Sequence, residues 1–316
     1  MLFRKEKVDD KALPLEKNSD HDKSITCMAL SDDQSLLVSG SDDGTARMYS
    51  AKTTSMECLG VFRGHTDYIT CIAIFDTHVI TGSADCSVRK WDMASCECLD
   101  VYQGHASRIF SIICSGNVIV SSSYDKSARA WRFDTSDLDD DEDPCLRTFV
   151  GHTKAVLSLA FFHGANSGYD SDEDSPGDFS EKLITGSADG TAKSWFLKSP
   201  NCVKTFKGHT GPISSIAVDE EAAILFTASM DKTVRSWDVH LGRCLKVQVL
   251  LSGKFVQVFT GCGDKSLRAF DAKSGALRRT YKGHEAGITA MAYVGGFIIS
   301  GGFDGTLIKW STADLV

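Results

Sequence analysis

Short apolar runs of four to seven residues recur along the whole chain, among them ITCIAI, HVITGS and SVRKW, each bounded by Gly, Ser or Asp. Runs of that length and setting read as β-strands. Nowhere does the three-to-four-residue periodicity of an amphipathic helix persist over a useful length. The runs are also copies of one another. Gly-His pairs end at His65, His105, His152, His209 and His284, and His21 stands in the same context behind Asp20. An aspartate in a tight polar turn returns as Asp43, Asp85, Asp125, Asp189, Asp231, Asp264 and Asp304, mostly 40 to 42 residues apart. Seven units follow from that count, and with them an all-β repeat architecture.

The register around each aspartate is constant. Four residues before it stands a hydroxyl, in turn Ser39, Thr81, Ser121, Thr185, Thr227, Thr260 and Ser300. Six residues after it stands an aromatic ring, in turn Tyr49, Trp91, Trp131, Trp195, Trp237, Phe270 and Trp310, which uses all five tryptophans. A buried indole N–H requires an acceptor. The hydroxyl can accept it while donating to the imidazole, whose second nitrogen then meets the carboxylate.

At these residues the chain resembles the WD-repeat family, and the match runs from His21 to Trp310. The resemblance implies a seven-bladed β-propeller of four-stranded antiparallel sheets, a single domain over residues 1–316. It also implies a structural tetrad in each blade, pinning the loop before the inner strand to the turn between the second and third strands. The complete sets are His65, Thr81, Asp85, Trp91; His105, Ser121, Asp125, Trp131; His152, Thr185, Asp189, Trp195; His209, Thr227, Asp231, Trp237; and His284, Ser300, Asp304, Trp310. The first blade has His21, Ser39 and Asp43 but substitutes Tyr49. An open ring exposes unpaired strand edges, so the N-terminal segment 1–20 is expected to close it, with residues 11–17 (KALPLEK) as the outer strand of the last blade. SSSYDKSARAW and FDAKSGALRRTYKGH are further similar to one member of the family whose name conveys no activity.

One blade departs from the pattern. Asp231 and Asp264 are only 33 residues apart, no Gly-His pair lies between them, and Phe270 cannot donate where a tryptophan would. Blade 6 is therefore degenerate or truncated. Of the two, loss of about seven residues by splicing or an erroneous gene model accounts for both the spacing and the missing motif.

Charge changes the picture in two places. The formal net charge is −8, but residues 134–144 hold seven acids and residues 163–181 six, with no bases in either. The remainder carries 34 basic against 29 acidic side chains. Both segments join strands at the end of a blade opposite the His and Asp loops. Solvated disorder is the plain reading. The sharper one is a recruitment arm for a basic partner, with Ser171 in SDED a phosphorylation acceptor. Basic residues four after the aspartates, Arg47, Arg89, Arg129, Lys193, Arg235 and Arg268, are expected to cover strand edges or pair with neighbouring acids rather than to form a nucleic-acid ring.

Candidate chemistry is thin. The His, Asp and Ser/Thr sets repeat as packing units, no copy carries extra oxyanion donors, and there is no G-x-S-x-G elbow or phosphate loop. Of the 11 cysteines, Cys58, Cys98, Cys145, Cys202 and Cys244 mark outer-strand starts, and no C-x-x-C occurs. The expectation is a non-enzymatic scaffold with no cofactor and no metal, monomeric within a complex. With no secretory leader or membrane-length apolar run in the sequence, the expected setting is the cytoplasm or nucleus. A cullin-type ubiquitin-ligase substrate receptor is the alternative. Its mark, an arginine two residues after Trp-Asp, is absent at Trp91–Asp92–Met93–Ala94 and at Trp237–Asp238–Val239–His240. For a protein or peptide partner the expected surface is the His/Asp rim: Tyr124, Met230 and Phe303 just before their aspartates, with Tyr68 and Arg108 three residues after their histidines.

Overall fold

The computed structural model describes residues 11–12, 14–53, 55–136, 138–139, 142–163, 181–248, 257–261, 263–271 and 276–312. The chain divides into two compact units, Met1–Thr77 with Met93–Glu97 and Leu251–Val316, and His78–Asp92 with Cys98–Leu250. Every regular element among the described residues is a β-strand.

The first unit opens with β1 (Lys11–Ala12), β2 (Glu16–Asn18), β3 (Ile25–Leu30), β4 (Leu36–Ser41), β5 (Ala46–Ser50), β6 (Cys58–Phe62) and β7 (Ile69–Phe75). The second holds β8 (His78–Ser83), β9 (Val88–Asp92), β10 (Cys98–Tyr102), β11 (Ile109–Ser115), β12 (Val118–Ser123), β13 (Ser127–Arg132), β14 (Cys145–Val150) and β15 (Val156–Phe162). It continues with β16 (Lys182–Ser187), β17 (Thr191–Phe196), β18 (Cys202–Lys207), β19 (Ile213–Asp219), β20 (Ile224–Ser229), β21 (Val234–Asp238) and β22 (Cys244–Gln248). The first unit resumes at β23 (Gln257–Gly261), β24 (Ser266–Asp271), β25 (Leu277–Lys282), β26 (Ile288–Val294), β27 (Phe297–Gly302) and β28 (Leu307–Ser311).

Consecutive strands pair antiparallel in four-stranded sheets: β3 to β6 in the first unit, and β11 to β14, β15 to β18 and β19 to β22 in the second. The second strand of each sheet explains the sequence best. In β12 (VIVSSS) five of the six residues are buried, because β11 and β13 flank it and neighbouring layers cover both faces. A strand hidden on both faces needs apolar or small side chains throughout. Ser121 therefore sits opposite Ile112 and Arg129 in the middle of a sheet, where its hydroxyl must find partners inside the protein.

The first strand of each sheet slips register one residue after its start, as between Ile109 and Ser111 or Val156 and Ser158. A bulge of this kind re-aims the skipped side chain. At Phe110 that matters below.

One feature differs from expectation. The strand foreseen at 11–17 is two pieces. β2 pairs antiparallel with β28, Glu16 opposite Lys309, and Leu15 N–H donates to Lys309 O at 2.8 Å. β1 pairs parallel with β25 instead, Lys11 opposite Thr280. Pro14 lies between them, and a residue without an N–H cannot continue a ladder. The sheet β1–β25–β24–β23 holds the short repeat that the spacing marks, and among the described residues β23 pairs only with β24.

Candidate functional site

The aspartate turn assembles locally. Asp125 N–H donates to Ser123 Oγ at 3.1 Å, while Asp125 Oδ1 accepts the Ser127 N–H at 2.9 Å and the Ser127 hydroxyl at 2.6 Å. Lys126 between them has φ +75°, the left-handed conformation that glycine fills at the same place in other repeats, as at Gly190 with φ +81°. This turn aims Oδ2 outward to the preceding loop. There it accepts His105 Nδ1–H at 2.7 Å and the Ala106 N–H at 3.0 Å.

The rest of the network runs inward. Trp131 Nε1–H donates to Ser121 Oγ at 2.8 Å, and Ser121 Oγ lies 2.9 Å from His105 Nε2. With the indole donating, the hydroxyl proton goes to Nε2, which leaves the imidazole proton on Nδ1 facing the carboxylate. The same geometry joins His152, Thr185, Asp189 and Trp195, with His152 Nε2 2.8 Å from Thr185 and Trp195 donating at 2.9 Å. It joins His209, Thr227, Asp231 and Trp237, and likewise His284, Ser300, Asp304 and Trp310. In the second repeat Trp91 donates to Thr81 Oγ1 at 2.8 Å, Asp85 caps its turn by accepting from Ser87, and His65 lies in the loop between β6 and β7. His21, Ser39 and Asp43 keep the polar part of the set, with Tyr49 fully buried in the indole position.

Burial lowers the pKa of His152 and of His21 below the usual imidazole value, against the pull of the facing carboxylates. Burial opposes ionisation of Asp189, yet hydrogen bonds from Thr191, the Thr153 N–H and His152 outweigh it and hold the carboxyl at about 2. Asp304 is held at about 2 in the same way, by Thr306, the Glu285 N–H and His284. In these sets the hydroxyl and both ring nitrogens are taken up by hydrogen bonds. Chemically the network is a clamp.

The clamp carries the rim. Each residue before a network aspartate donates its N–H to the carbonyl three residues after the histidine: Tyr124 to Arg108 at 3.0 Å, Met230 to Pro212 at 2.9 Å and Phe303 to Gly287 at 2.9 Å. The side chains at these tips are open, with Tyr124 54%, Met230 68% and Phe303 61% exposed. In the second unit the Arg108 guanidinium lies 5.1 Å from the Tyr124 ring centre and 5.0 Å from that of Phe110, and the two rings are 6.2 Å apart. Tyr68, in the first unit, is half-buried, and its N–H donates to Asp67 at 2.8 Å.

Of the basic side chains, Arg268 pairs with Asp264, whereas Arg129 and Arg89 pack on their tryptophans. Arg129 lies over Trp131 at 5.7 Å and reaches the Cys145 sulfur at 3.6 Å, and Arg89 lies over Trp91 at 5.9 Å. This packing explains the glycine of the Gly-His pair. A Cβ on Gly104 would come within 2.7 Å of Arg129 and 3.3 Å of Trp131. Cys58, Cys98, Cys145, Cys202 and Cys244 each begin an outer strand.

Comparison with known proteins accounts for the repeat. The family model described as WD domain, G-beta repeat matches residues 14–50, 56–92, 96–132, 143–195, 200–238 and 275–311. The chain belongs to the WD-repeat family. Among relatives it is 26% identical to mitochondrial division protein 1 of Mycosarcoma maydis over 87% of this chain and 38% of that protein. It is 28% identical to pre-mRNA-processing factor 19 of Oryza sativa subsp. japonica over 51% of this chain and 31% of that one. It is 25% identical to nuclear distribution protein PAC1-2 of Uncinocarpus reesii over 54% of this chain and 42% of the relative. The chain thus spans less than half the length of these relatives. The six matched WD repeats leave residues 239–274 between them, where β23 and β24 lie. These matches show the family, not the narrower likeness to one member. No helix among the described residues is long and apolar enough to cross a membrane.

Several side chains of this WD-repeat protein escaped the sequence reading. Phe110 is one, and its signal was available, since the other repeats place Thr26, Thr70, Leu157, Ser214 and Thr289 at that bulge. Lys90 and Lys309 are buried, although lysine rarely is. Lys309 Nζ donates to Thr53 O at 2.7 Å and Ala51 O at 3.2 Å, and burial lowers its pKa. Lys90 Nζ lies 2.5 Å from Asp100 and donates to Phe133 O at 2.6 Å. The acidic segments join β13 to β14 and β15 to β16, as the spacing requires. Ser171 and residues 164–180 lie outside the described residues. At the root of that segment His163 is 2.7 Å from Glu220 and 3.1 Å from Glu181.

Proposed function

We propose that the chain is a non-enzymatic interaction scaffold, its seven repeats closing into one propeller domain with β2 as the last outer strand and one face docking a protein or peptide. The observation that carries this reading is the Arg108, Phe110 and Tyr124 stack. A guanidinium resting against two neighbouring rings on the exposed tip of a hydrogen-bonded clamp is pre-ordered, so binding there costs little side-chain entropy. Tyr and Arg are the residue types that dominate interface energetics. Met230 extends the apolar tips in the same unit, and Tyr68 and Phe303 hold equivalent repeat positions in the other. The relatives' printed names concern mitochondrial division, pre-mRNA processing and nuclear distribution. Such a spread fits a binding platform whose partner is set by its rim, and a setting in cytoplasm or nucleus.

Affinity capture from cells tests it, comparing wild type with a Tyr124→Ala, Met230→Ala, Phe303→Ala variant whose melting temperature is unchanged. Loss of captured partners from the variant alone supports the rim. Identical partner sets reject it and move attention to the acidic segments 134–144 and 163–181.

A further inference from the structure

Two turns of the second unit carry a lysine where the backbone favours glycine. The residue after each clamp aspartate takes a positive φ, as Gly190 does at +81°, and Lys126 and Lys232 take it at +75° and +70°. Glycine adopts this conformation freely, whereas a Cβ there crowds the neighbouring carbonyl oxygen. The clamp has no use for the lysine side chain. The turn takes the main-chain N–H of Lys126 to Ser123 O and that of Lys232 to Ser229 O, and both side chains are exposed. Within this unit the two lysines follow the bulky tips Tyr124 and Met230, while Cys86 and Gly190 follow the small tips Ala84 and Ala188. Strain kept in a turn that does not require it points to a task outside the turn.

The charge presented on this face of the unit has one sign. The loops leading into β11, β15 and β19 carry Arg108 and Lys154 and no acid. Lys154 is exposed, and among the described residues none of Lys126, Lys154 and Lys232 forms an ion pair. The acids beneath are those of the clamp, and the side chains of Asp125, Asp189 and Asp231 are at most 12% exposed and turned to their histidines. In the first unit, by contrast, the equivalent loops and tips hold Asp22, Asp42, Asp67 and Glu285. The left-handed residue of one repeat rests on the histidine loop of the next, since a Cβ on Gly190 would lie 3.0 Å from His209 O and 3.3 Å from Gly211 O. By the same repeat Lys126 rests on the loop of His152 and Lys154. These two lysines therefore stand beside one turn, at whose tip the Tyr124 ring is exposed with Phe110 6.2 Å away.

We infer that this part of the rim receives an acidic segment of a partner protein, its carboxylates meeting Lys126 and Lys154 while an apolar side chain beside them lies on Tyr124 and Phe110. The inference rests on the rim as the docking face and adds the chemistry of what docks there. An exposed ammonium gains little from a single carboxylate in water. The lysines accordingly set the choice of partner and its rate of arrival, and the aromatic contact supplies most of the holding energy. Two lysines neutralise too few phosphates to hold a nucleic-acid strand by its backbone.

The probe is a fluorescein-labelled peptide with glutamates on both sides of one leucine, titrated with the intact protein and followed by anisotropy, against a counterpart in which glutamine replaces every glutamate. Saturable binding of the acidic peptide alone is expected, weakened by added salt and roughly fivefold or more by Lys154→Glu or Tyr124→Ala. Lys126→Gly removes the ammonium and the strained Cβ together, so it should bind more weakly yet melt higher than wild type, which separates lost binding from lost folding. Lys246→Glu, the same charge change on the outer strand β22, should leave binding as it was. Equal binding of the glutamine peptide, or binding indifferent to Lys126→Gly and Lys154→Glu, overturns the acidic partner. So does an oligothymidylate of equal charge that binds more tightly through the same lysines, which assigns the patch to nucleic acid. If the acidic peptide fails while the Tyr124→Ala, Met230→Ala, Phe303→Ala variant still loses its cellular partners, the acidic choice falls and the rim stands. If that variant keeps its partners, the rim itself falls.

Discussion

The sheet β11–β14 and the sheet β23–β25 are the same repeat with its first strand and, among the described residues, without it. In the former, Trp131, Ser121, His105 and Asp125 close a buried chain of hydrogen bonds in which each polar group has a partner. In the latter, Phe270 stands where the indole would be, no Gly-His pair precedes the turn, and Asp264 pairs with Arg268 at the surface and with buried Ser266. The aspartate turn forms in both. The turn is therefore a local structure made by Asp and the hydroxyl two residues on, and the deeper network is what the first strand and its loop add.

The largest expected effect separates the two aromatic positions. Trp131→Ala removes a fully buried ring and orphans Ser121 and His105, at about 3–5 kcal/mol by the usual cost of such truncations. Phe270→Ala removes a half-buried ring with no polar dependants, at about 1 kcal/mol. Denaturant titration of both variants measures the contrast, and equal losses would break it. Next comes the N-terminal pair of short strands. Removing residues 1–18 strips β2 from β28 together with the Leu15, Glu16 and Asn18 hydrogen bonds, about 2–3 kcal/mol at roughly 1 kcal/mol per bond. Removing residues 1–12 takes only β1 from the incomplete sheet and should cost a fraction of that, read as the difference in melting temperature between the two truncations.

The same comparison shows what was legible beforehand. The turn, the network partners and the strand starts at Cys58, Cys98, Cys145, Cys202 and Cys244 follow from fixed residue offsets, because hydrogen-bond complementarity and strand period act locally. The 33-residue interval before Asp264 marked the defective repeat by arithmetic alone. Three things were not legible. The break between β1 and β2 turns on Pro14, a single residue inside what read as one strand. The stacking of Arg108 on Phe110 depends on a register slip that the apolar pattern does not encode. Nothing in the sequence marks Lys90 and Lys309 as buried, since what makes their burial tolerable is distant in the chain, the Phe133 carbonyl and Asp100 for Lys90 and the Ala51 and Thr53 carbonyls for Lys309.

Acid should sharpen the contrast next. Buried His152 and His21 have lowered pKa values, so the unfolded chain binds their protons first, and stability present above about pH 6.5 declines as pH falls below it. Asp189 and Asp304, held at about 2, add stability above the unfolded value near pH 4, which is lost as pH falls from about 4 toward 2. Melting temperature recorded from pH 7.5 to 3 should therefore fall in two stages, the first assigned to the histidine networks. A His152→Gln variant should show a weaker first stage, and an unchanged one would remove the buried imidazole as its cause.

The smallest effect comes from one substitution made in both sheets. Asp125 accepts four donors, from His105, the Ala106 N–H, and the N–H and hydroxyl of Ser127. An asparagine keeps one acceptor oxygen and turns an NH2 group toward two of those donors, so Asp125→Asn should cost about 2 kcal/mol, the range for hydrogen bonds to a charged group. Among the described residues Asp264 accepts from the N–H and hydroxyl of buried Ser266 and from Arg268, and the Asp264 carboxylate and Arg268 are open to water, which replaces what is lost. Asp264→Asn should leave the melting temperature unchanged within error. A loss matching that of Asp125→Asn would mean that the Ser266 and Arg268 contacts of Asp264 carry as much as the four-donor set of Asp125, and would break the comparison.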